Sequence, residues 1–333
     1  MSLHLRDRWL DWTLRIVAVF VIMALAYLAY TVWQGERQAK QGSLSSRAID
    51  NLEQLVRDQP ENPDARVLLG DAYRDMGSFA DAIEQYQAAL EVTDDHAGAL
   101  TGLALVAMAK EEWRTAEGYW LGVIESVSDE PMANADLRLE KAYYYYGVCL
   151  IQLGEYEDAV SYLKEALRIK RDDADTHYAL SVAYRDLDSV ANQKKSLENA
   201  LAFVPSMPEA NYDLGLVLLA EGDEAGAAEL FRRSVDNAPS RPEPRAELDK
   251  LGPFADRWAK AQALVATDAA AALVEARVAI ALDPESADAA RLVARLLQQV
   301  ENTEDAKAAW ARVLELVPDD PEALEQVEIL DAQ

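Results

Sequence analysis

Three histidines, one cysteine and many adjacent carboxylates are the groups through which this 333-residue chain could do covalent or proton-transfer chemistry. His4, His96 and His177 stand far apart, and His177, beside Tyr178 on a predicted helix, reads as a packing or surface residue rather than a base. A lone cysteine, Cys149, cannot form an internal disulfide or supply a zinc or haem cysteine motif. On a predicted helix it reads as a buried structural thiol. No glycine-rich phosphate loop occurs. Carboxylate pairs such as Asp94-Asp95, Asp172-Asp173 and Asp319-Asp320 fall in turns ahead of predicted helices. There they cap free N–H groups and favour the positive end of the helix dipole. Such a turn pair is not the facing dyad of a glycosidase. No catalytic residue, metal, cofactor or small-molecule substrate is predicted.

The chemistry that does recur is that of recognition. Tyr144, Tyr178 and Tyr212 stand 34 residues apart, as do Val148, Val182 and Leu216, and Gly147, Ser181 and Gly215. Leu163, Leu197 and Phe231 follow at the same interval, then Ala166, Ala200 and Ser234. A fixed period of this size marks stacked repeats. Tyrosine with aliphatic neighbours offers apolar contact area with polar tips, a composition found at binding surfaces. The same tyrosines can instead serve only to pack adjacent helices.

Residues 208–241 show what positions this column. Pro208 suits a first helical turn, and Leu214, Leu218 and Leu219 form a helical stripe. Gly222 suits a left-handed helix end. Ala227, Ala228, Leu230, Phe231 and Val235 make a second stripe that Pro239 stops. The spacing predicts a helical hairpin that cannot bury its apolar face alone and must stack on neighbours.

The pattern resembles the tetratricopeptide repeat, with a small residue eighth, a large one eleventh, Ala twentieth, an aromatic twenty-fourth, Ala twenty-seventh and Pro thirty-second. Seven repeats are read at 63–96, 97–130, 140–173, 174–207, 208–241, 253–286 and 287–320. Their twentieth position holds Ala82, Ala116, Ala159, Gln193, Ala227, Ala272 and Ala306, and their twenty-fourth Tyr86, Trp120, Leu163, Leu197, Phe231, Ala276 and Trp310. Lys260 replaces the small eighth residue of the sixth. The resemblance implies an all-α fold, an α-solenoid in which helical hairpins form a right-handed superhelix, and a protein partner held in its concave groove. It places Leu105, Met108, Tyr144, Val148, Ile151, Tyr178, Val182, Arg185, Tyr212, Leu216 and Leu219 along that groove. Asp64, Asp71, Asp75 and Arg74 lie at one end, and Arg257, Arg291 and Arg295 at the other, where they would favour an acidic stretch or a C-terminal carboxylate. The family's carboxylate clamp needs Lys and Asn where this chain has Val67 and Asp71, so a chaperone-tail adaptor is not supported.

Ahead of the repeats, Ile16 to Gln34 carries no charge. Its 19 residues, at about 1.5 Å each, match the hydrocarbon thickness of a bilayer. Trp9 and Trp12 before it, and Tyr30 and Trp33 at its end, resemble interfacial belts. The expectation is a single transmembrane helix over 14–34 behind a tail of residues 1–13. A cleaved signal peptide is the competing reading, with Ala24-Leu25-Ala26 as the cleavage site. The apolar stretch runs past that site to Trp33, which favours the anchor. Lys and Arg flank the span equally. The short tail fits a signal anchor with the repeats on the extracytoplasmic side, periplasmic or outer.

The remaining segments are a linker at 35–42, a half-repeat helix within 43–62, repeats one to five over 63–241 with an insertion at 131–139, a joint at 242–252, repeats six and seven over 253–320, and a capping helix at 321–333. The insertion is expected to lengthen the helix carrying Tyr143 to Tyr146.

With Lys+Arg 32 against Asp+Glu 59, the formal charge is −27. That excludes a nucleic-acid binder, which needs a basic footprint. The acidity fits solubility and capping, or attraction to a basic partner. Two functional readings stay open. One is a membrane-anchored scaffold that binds a peptide segment or subunit and recruits or assembles a membrane complex. The other is a permanent subunit of a respiratory, secretion or pilus assembly. The layout is also similar to that of bitopic repeat proteins that assist cytochrome c maturation, although no motif singles out that pathway.

Overall fold

The computed structural model describes residues 47–128 and 135–331, together with Tyr27 and Tyr30. These two tyrosines are helical and exposed. The span predicted over 14–34 otherwise lies outside the described residues. Among those residues no helix is long and apolar enough to cross a membrane. They form seventeen helices and no strand. The chain divides into two compact parts, Met1–Pro131 and Met132–Gln333.

The first part holds α1 (47–58), α2 (Pro63–Asp75), α3 (Phe79–Val92), α4 (Ala97–Ala109) and α5 (Trp113–Ser128). Tyr86 of α3 is fully buried. A Cβ at Gly70 of α2 would come within 2.6 Å of its ring, so only glycine lets the two helices close on it. The Tyr86 hydroxyl donates to Asp71 at 2.8 Å, and Arg74 donates to the same carboxylate at 2.8 Å. Tyr73 donates to Glu53 at 2.9 Å, which ties α2 to α1. Asp94 and Asp95, expected to cap α4, are both exposed. The cap is His96, whose Nδ1 accepts from the Ala99 N–H at 3.3 Å while Nε2 meets Asp64 at 3.1 Å. An N-cap needs only an acceptor held over the first turn, and the imidazole supplies one.

The second part begins with three regular hairpins: α6 (Leu137–Leu153) with α7 (Tyr156–Ile169), α8 (Ala174–Asp186) with α9 (Val190–Phe203), and α10 (Pro208–Ala220) with α11 (Glu224–Asn237). Helix α6 has 17 residues where α8 and α10 have 13. Close approach again depends on glycine facing a large residue. A Cβ at Gly147 would lie 2.7 Å from Leu163, and one at Gly215 would lie 2.6 Å from Phe231. Asp136, Asp173 and Asp223 accept first-turn N–H bonds as caps.

The packing then changes. Helix α12 (Pro242–Lys250) has 9 residues. Its Leu248, with Leu251 just after it, shares one buried cluster with Phe231 and Val235 of α11 and with Val278 and Ala281 of α14 (Ala269–Leu282). So α11 packs directly on α14, the second helix of the next hairpin. Arg232 of α11 secures this contact by donating to the carbonyls of Ala281 and Leu282 at 2.6 and 3.2 Å. A guanidinium there satisfies end-of-helix carbonyls and opposes the negative end of the dipole.

The first helix of that hairpin, α13 (Phe254–Leu264), corrects the sixth repeat. Ala261, not Lys260, is fully buried, and Lys260 is exposed. Ala272, Ala276 and Ala279 of α14 are fully buried, as the repeat spacing predicts. The register therefore slips by one residue in α13 only, because packing selects the small side chain over the long cation. The array continues through α15 (Ala287–Gln299) and α16 (Thr303–Leu316) to α17 (Pro321–Asp331), whose Ala323, Val327 and Leu330 pack against the cluster around Trp310.

Candidate partner-binding face

Tyr144, Tyr178 and Tyr212 occupy corresponding positions of α6, α8 and α10, and all three are half-buried. Each is influenced by carboxylates of the following first helix. Tyr178 donates to Asp213 of α10 at 3.0 Å. Burial is the main cause that pushes Tyr144 up to about 12, with Asp175, Tyr145, Asp173 and Glu140 adding to it. Tyr178 is raised by burial and then by Asp213, and Tyr212 by burial and then by Glu247 of α12. Burial is the larger cause at all three, and nearby negative charge further disfavours the phenolate. Tyr144 also meets Tyr145 edge-on, with ring centroids 4.9 Å apart.

Two carboxylates on this face are themselves held above their ordinary range. Burial raises Asp213, against the hydrogen bond from Tyr178 and the nearby Arg185 and Arg241. Glu140, 5% exposed at the start of α6, is raised by burial and then by Asp173. The Arg241 guanidinium sits 5.7 Å from the Tyr212 ring centroid and pairs with Glu209 at 3.1 Å.

The aliphatic members divide. Leu216 is exposed, while Val148, Ile151, Val182 and Leu219 are half-buried. Arg185 is exposed and pairs only loosely, at 3.3 Å, with its neighbour Asp186. Leu105 and Met108 belong to α4 in the first compact part, and both are half-buried. Met108 Sδ accepts from the Trp120 indole N–H at 3.2 Å, a contact inside its own hairpin.

The three arginines expected to receive an acidic partner each have a partner within the chain. Arg257 contacts Glu224 at 2.9 Å and Glu275 at 3.0 Å, and it donates to the Leu251 carbonyl at 2.7 Å. The slipped register of α13 moves the column onto Trp258, which stacks on Phe254 with centroids 6.2 Å apart. Arg291 meets Asp320 and Asp288, each at 2.7 Å. Arg295 donates to Glu322 at 2.6 Å. Each of the three thus meets at least one carboxylate of this chain.

Asp213 and Glu247 were not singled out from the sequence, yet a signal exists for them. Each stands 35 residues after its tyrosine, one more than the repeat period. At Asp213 that offset marks the acceptor of the Tyr178 hydroxyl, and at Glu247 a charge that acts on Tyr212.

Tetratricopeptide-repeat family models match residues 46–105, 149–188 and 177–242. The fold is similar to that of PilW, described as a widely conserved type IV pilus biogenesis factor. It is 16% identical with a TM-score of 0.53, and the match covers 62% of this chain and 92% of PilW. YrrB, described as a tetratricopeptide-repeat protein with an unusual peptide-binding site, is 16% identical over 60% of this chain and 98% of YrrB, with a TM-score of 0.49. PilF of Pseudomonas aeruginosa is 17% identical over 81% of this chain and 96% of PilF, with a TM-score of 0.47. No curated protein matches the chain. Tetratricopeptide repeats are thus recognised within 46–105 and 149–242, and the described residues are all-helical, arranged largely as stacked hairpins.

Proposed function

We propose that this chain is a membrane-anchored scaffold that holds a segment of a partner protein along the tyrosine-bearing face of α6, α8 and α10. One observation carries the reading: three half-buried tyrosines recur at equivalent positions of α6, α8 and α10, with exposed Leu216 on α10 and with Asp175, Asp213 and Glu247 near them. Tyrosines that served only to pack helices would not need an aliphatic side chain left in solvent next to them. The acidic surroundings select a segment carrying lysine or arginine together with apolar side chains, since complementary charge sets specificity and association rate. The uncharged run from Ile16 to Gln34 supports the anchor, and the short tail before it supports repeats on the extracytoplasmic side.

The test is affinity capture from native membranes with the full chain and with a Tyr144→Ala, Tyr178→Ala, Tyr212→Ala variant shown by circular dichroism to be folded. Loss of the co-purifying protein is expected, because removal of a hot-spot tyrosine costs on the order of 2 kcal/mol of binding. Retention at wild-type yield rejects the face. The anchor is tested separately by alkaline extraction, after which the chain should remain in the membrane pellet with Met1 or Ser2 at its N-terminus. A mature N-terminus at Tyr27 would overturn it.

A further inference from the structure

We propose a second binding site, independent of the tyrosine face, in the groove between α7 and α9 over α8, and assign it an acidic segment of a protein partner. The groove has a volume of ≈ 300 Å³. It uses a different stripe of α8 from the tyrosine column, His177, Leu180 and Tyr184 in place of Tyr178, Val182 and Arg185. Lys164 of α7 and Lys195 of α9 are exposed on its rim, and Leu180 is buried in its floor.

Its charge is what distinguishes it. In a chain of net charge −27, no carboxylate lines this groove. Among the described residues neither lysine has a carboxylate within ion-pairing distance. Lys164 instead lies over the Tyr184 ring, 5.8 Å from its centroid. The polar groups between the lysines, Asn192, Asn199 and buried Ser196, can all donate hydrogen bonds.

The cleft between α11 and α14 to α16 shows the contrast. It is larger, ≈ 370 Å³, and three arginines line it. Yet Arg232 is spent on the α14 carbonyls, Arg233 on Glu229 and Arg277 on Asp305. That cleft is neutralised from within, whereas the α7–α9 groove keeps two cations without counter-charges.

The chemistry selects a peptide. Two lysines are too few for a nucleic-acid track, which needs many phosphate contacts. An open groove with an apolar floor suits carboxylates carried on a chain that also offers apolar side chains. At one end His177 stacks on Phe203, centroids 5.7 Å apart, and Phe203 is 48% exposed. An aromatic surface left in solvent at the His177 end of the groove gives such a segment an apolar anchor.

The probe is a fluorescein-labelled hexapeptide, Glu-Glu-Phe-Glu-Glu-Leu, titrated by fluorescence polarisation with the full chain in mild detergent. Saturable binding that weakens with added salt is expected. A Lys164→Glu, Lys195→Glu variant should bind about tenfold more weakly or not at all, and a Lys164→Gln, Lys195→Gln variant should fall between it and wild type. Lys307→Gln, which removes a lysine on the distant α16, should bind as wild type does. Absence of saturable binding overturns the proposal. So does equal affinity for a peptide with glutamine at every glutamate, or unchanged affinity in both lysine variants. Displacement of the peptide by inorganic phosphate at matched ionic strength would reassign the groove to a small oxyanion and reject the peptide.

Discussion

Two carboxylates on the tyrosine face of α6 to α10 and two at the arginine-bearing end of α15 to α17 are held in opposite states. On the first, burial lifts Asp213 and Glu140 above the ordinary range. At the second, the Ala323 N–H and the Arg291 guanidinium hold Asp320 below it, and Arg295 does the same for Glu322. Both regions are repeats of one architecture built around a fully buried aromatic, Phe231 or Trp310. The difference teaches that the core stacks the repeats, while the polar residues between them decide whether a face is internally satisfied or left with unmet charge. The arginine end is closed by ion pairs in this sense, whereas on the tyrosine face Asp213 has a phenol hydrogen bond with Arg185 and Arg241 only nearby.

The core should break first. Phe231→Ala empties the site that Gly215 accommodates and should cost about 3–5 kcal/mol, read as a large drop in Tm. A small drop would mean that α10 and α11 are not held by this contact. Next is Arg291→Ala, which strips Asp320, a side chain only 6% exposed, of its ion pair. The expected loss is about 1.5–3 kcal/mol at neutral pH. The folded-state pKa of Asp320 is depressed, so its contribution is present above the unfolded value and is lost as pH falls through the folded one. The gap between Arg291→Ala and wild type should therefore close in acid, and a gap independent of pH would refute the assignment. Arg295→Ala should cost only about 0.2–1 kcal/mol, since its pair with Glu322 is largely in solvent.

The smallest effect has the opposite sign. Asp213 is raised on folding, so ionising it opposes folding, and stability declines as pH rises from the unfolded carboxylate value through the folded one. Asp213→Asn keeps an acceptor for Tyr178 and removes that charge. It should raise Tm slightly at neutral pH and leave it unchanged in acid. A loss of Tm at neutral pH would show that the charge of Asp213 is needed on this face, contrary to the contrast drawn above.

Much of the hairpin architecture is legible because it is local. Pro208, Gly222 and Pro239 bracket α10 and α11, and the glycine of one helix faces the large residue 16 positions later, Gly147 with Leu163 and Gly215 with Phe231. These contacts lie within one repeat, so a column of residue types records them. The slip at Ala261 was not legible, because Lys260 and Ala261 are neighbours and only packing against α14 selects between them. The direct contact of α11 with α14 was equally hidden, since it depends on how little of α12 intervenes.

The sequence by itself determined that the chain is helical, repeats at 34 residues, carries a tyrosine column and has a single cysteine, too few for a zinc or haem cysteine motif. Only the tertiary structure decided which charges are spent. Arg257, Arg291 and Arg295 look available along the sequence and are paired, while Lys164 and Lys195 attract no notice there and face one groove unpaired. The physical reason is range. Helix propensity, capping and hairpin packing act within a repeat, whereas the pairing of Arg295 with Glu322, or of Tyr178 with Asp213, joins residues 27 to 35 positions apart. Which carboxylate a cation reaches at that distance depends on how one hairpin is seated on the next.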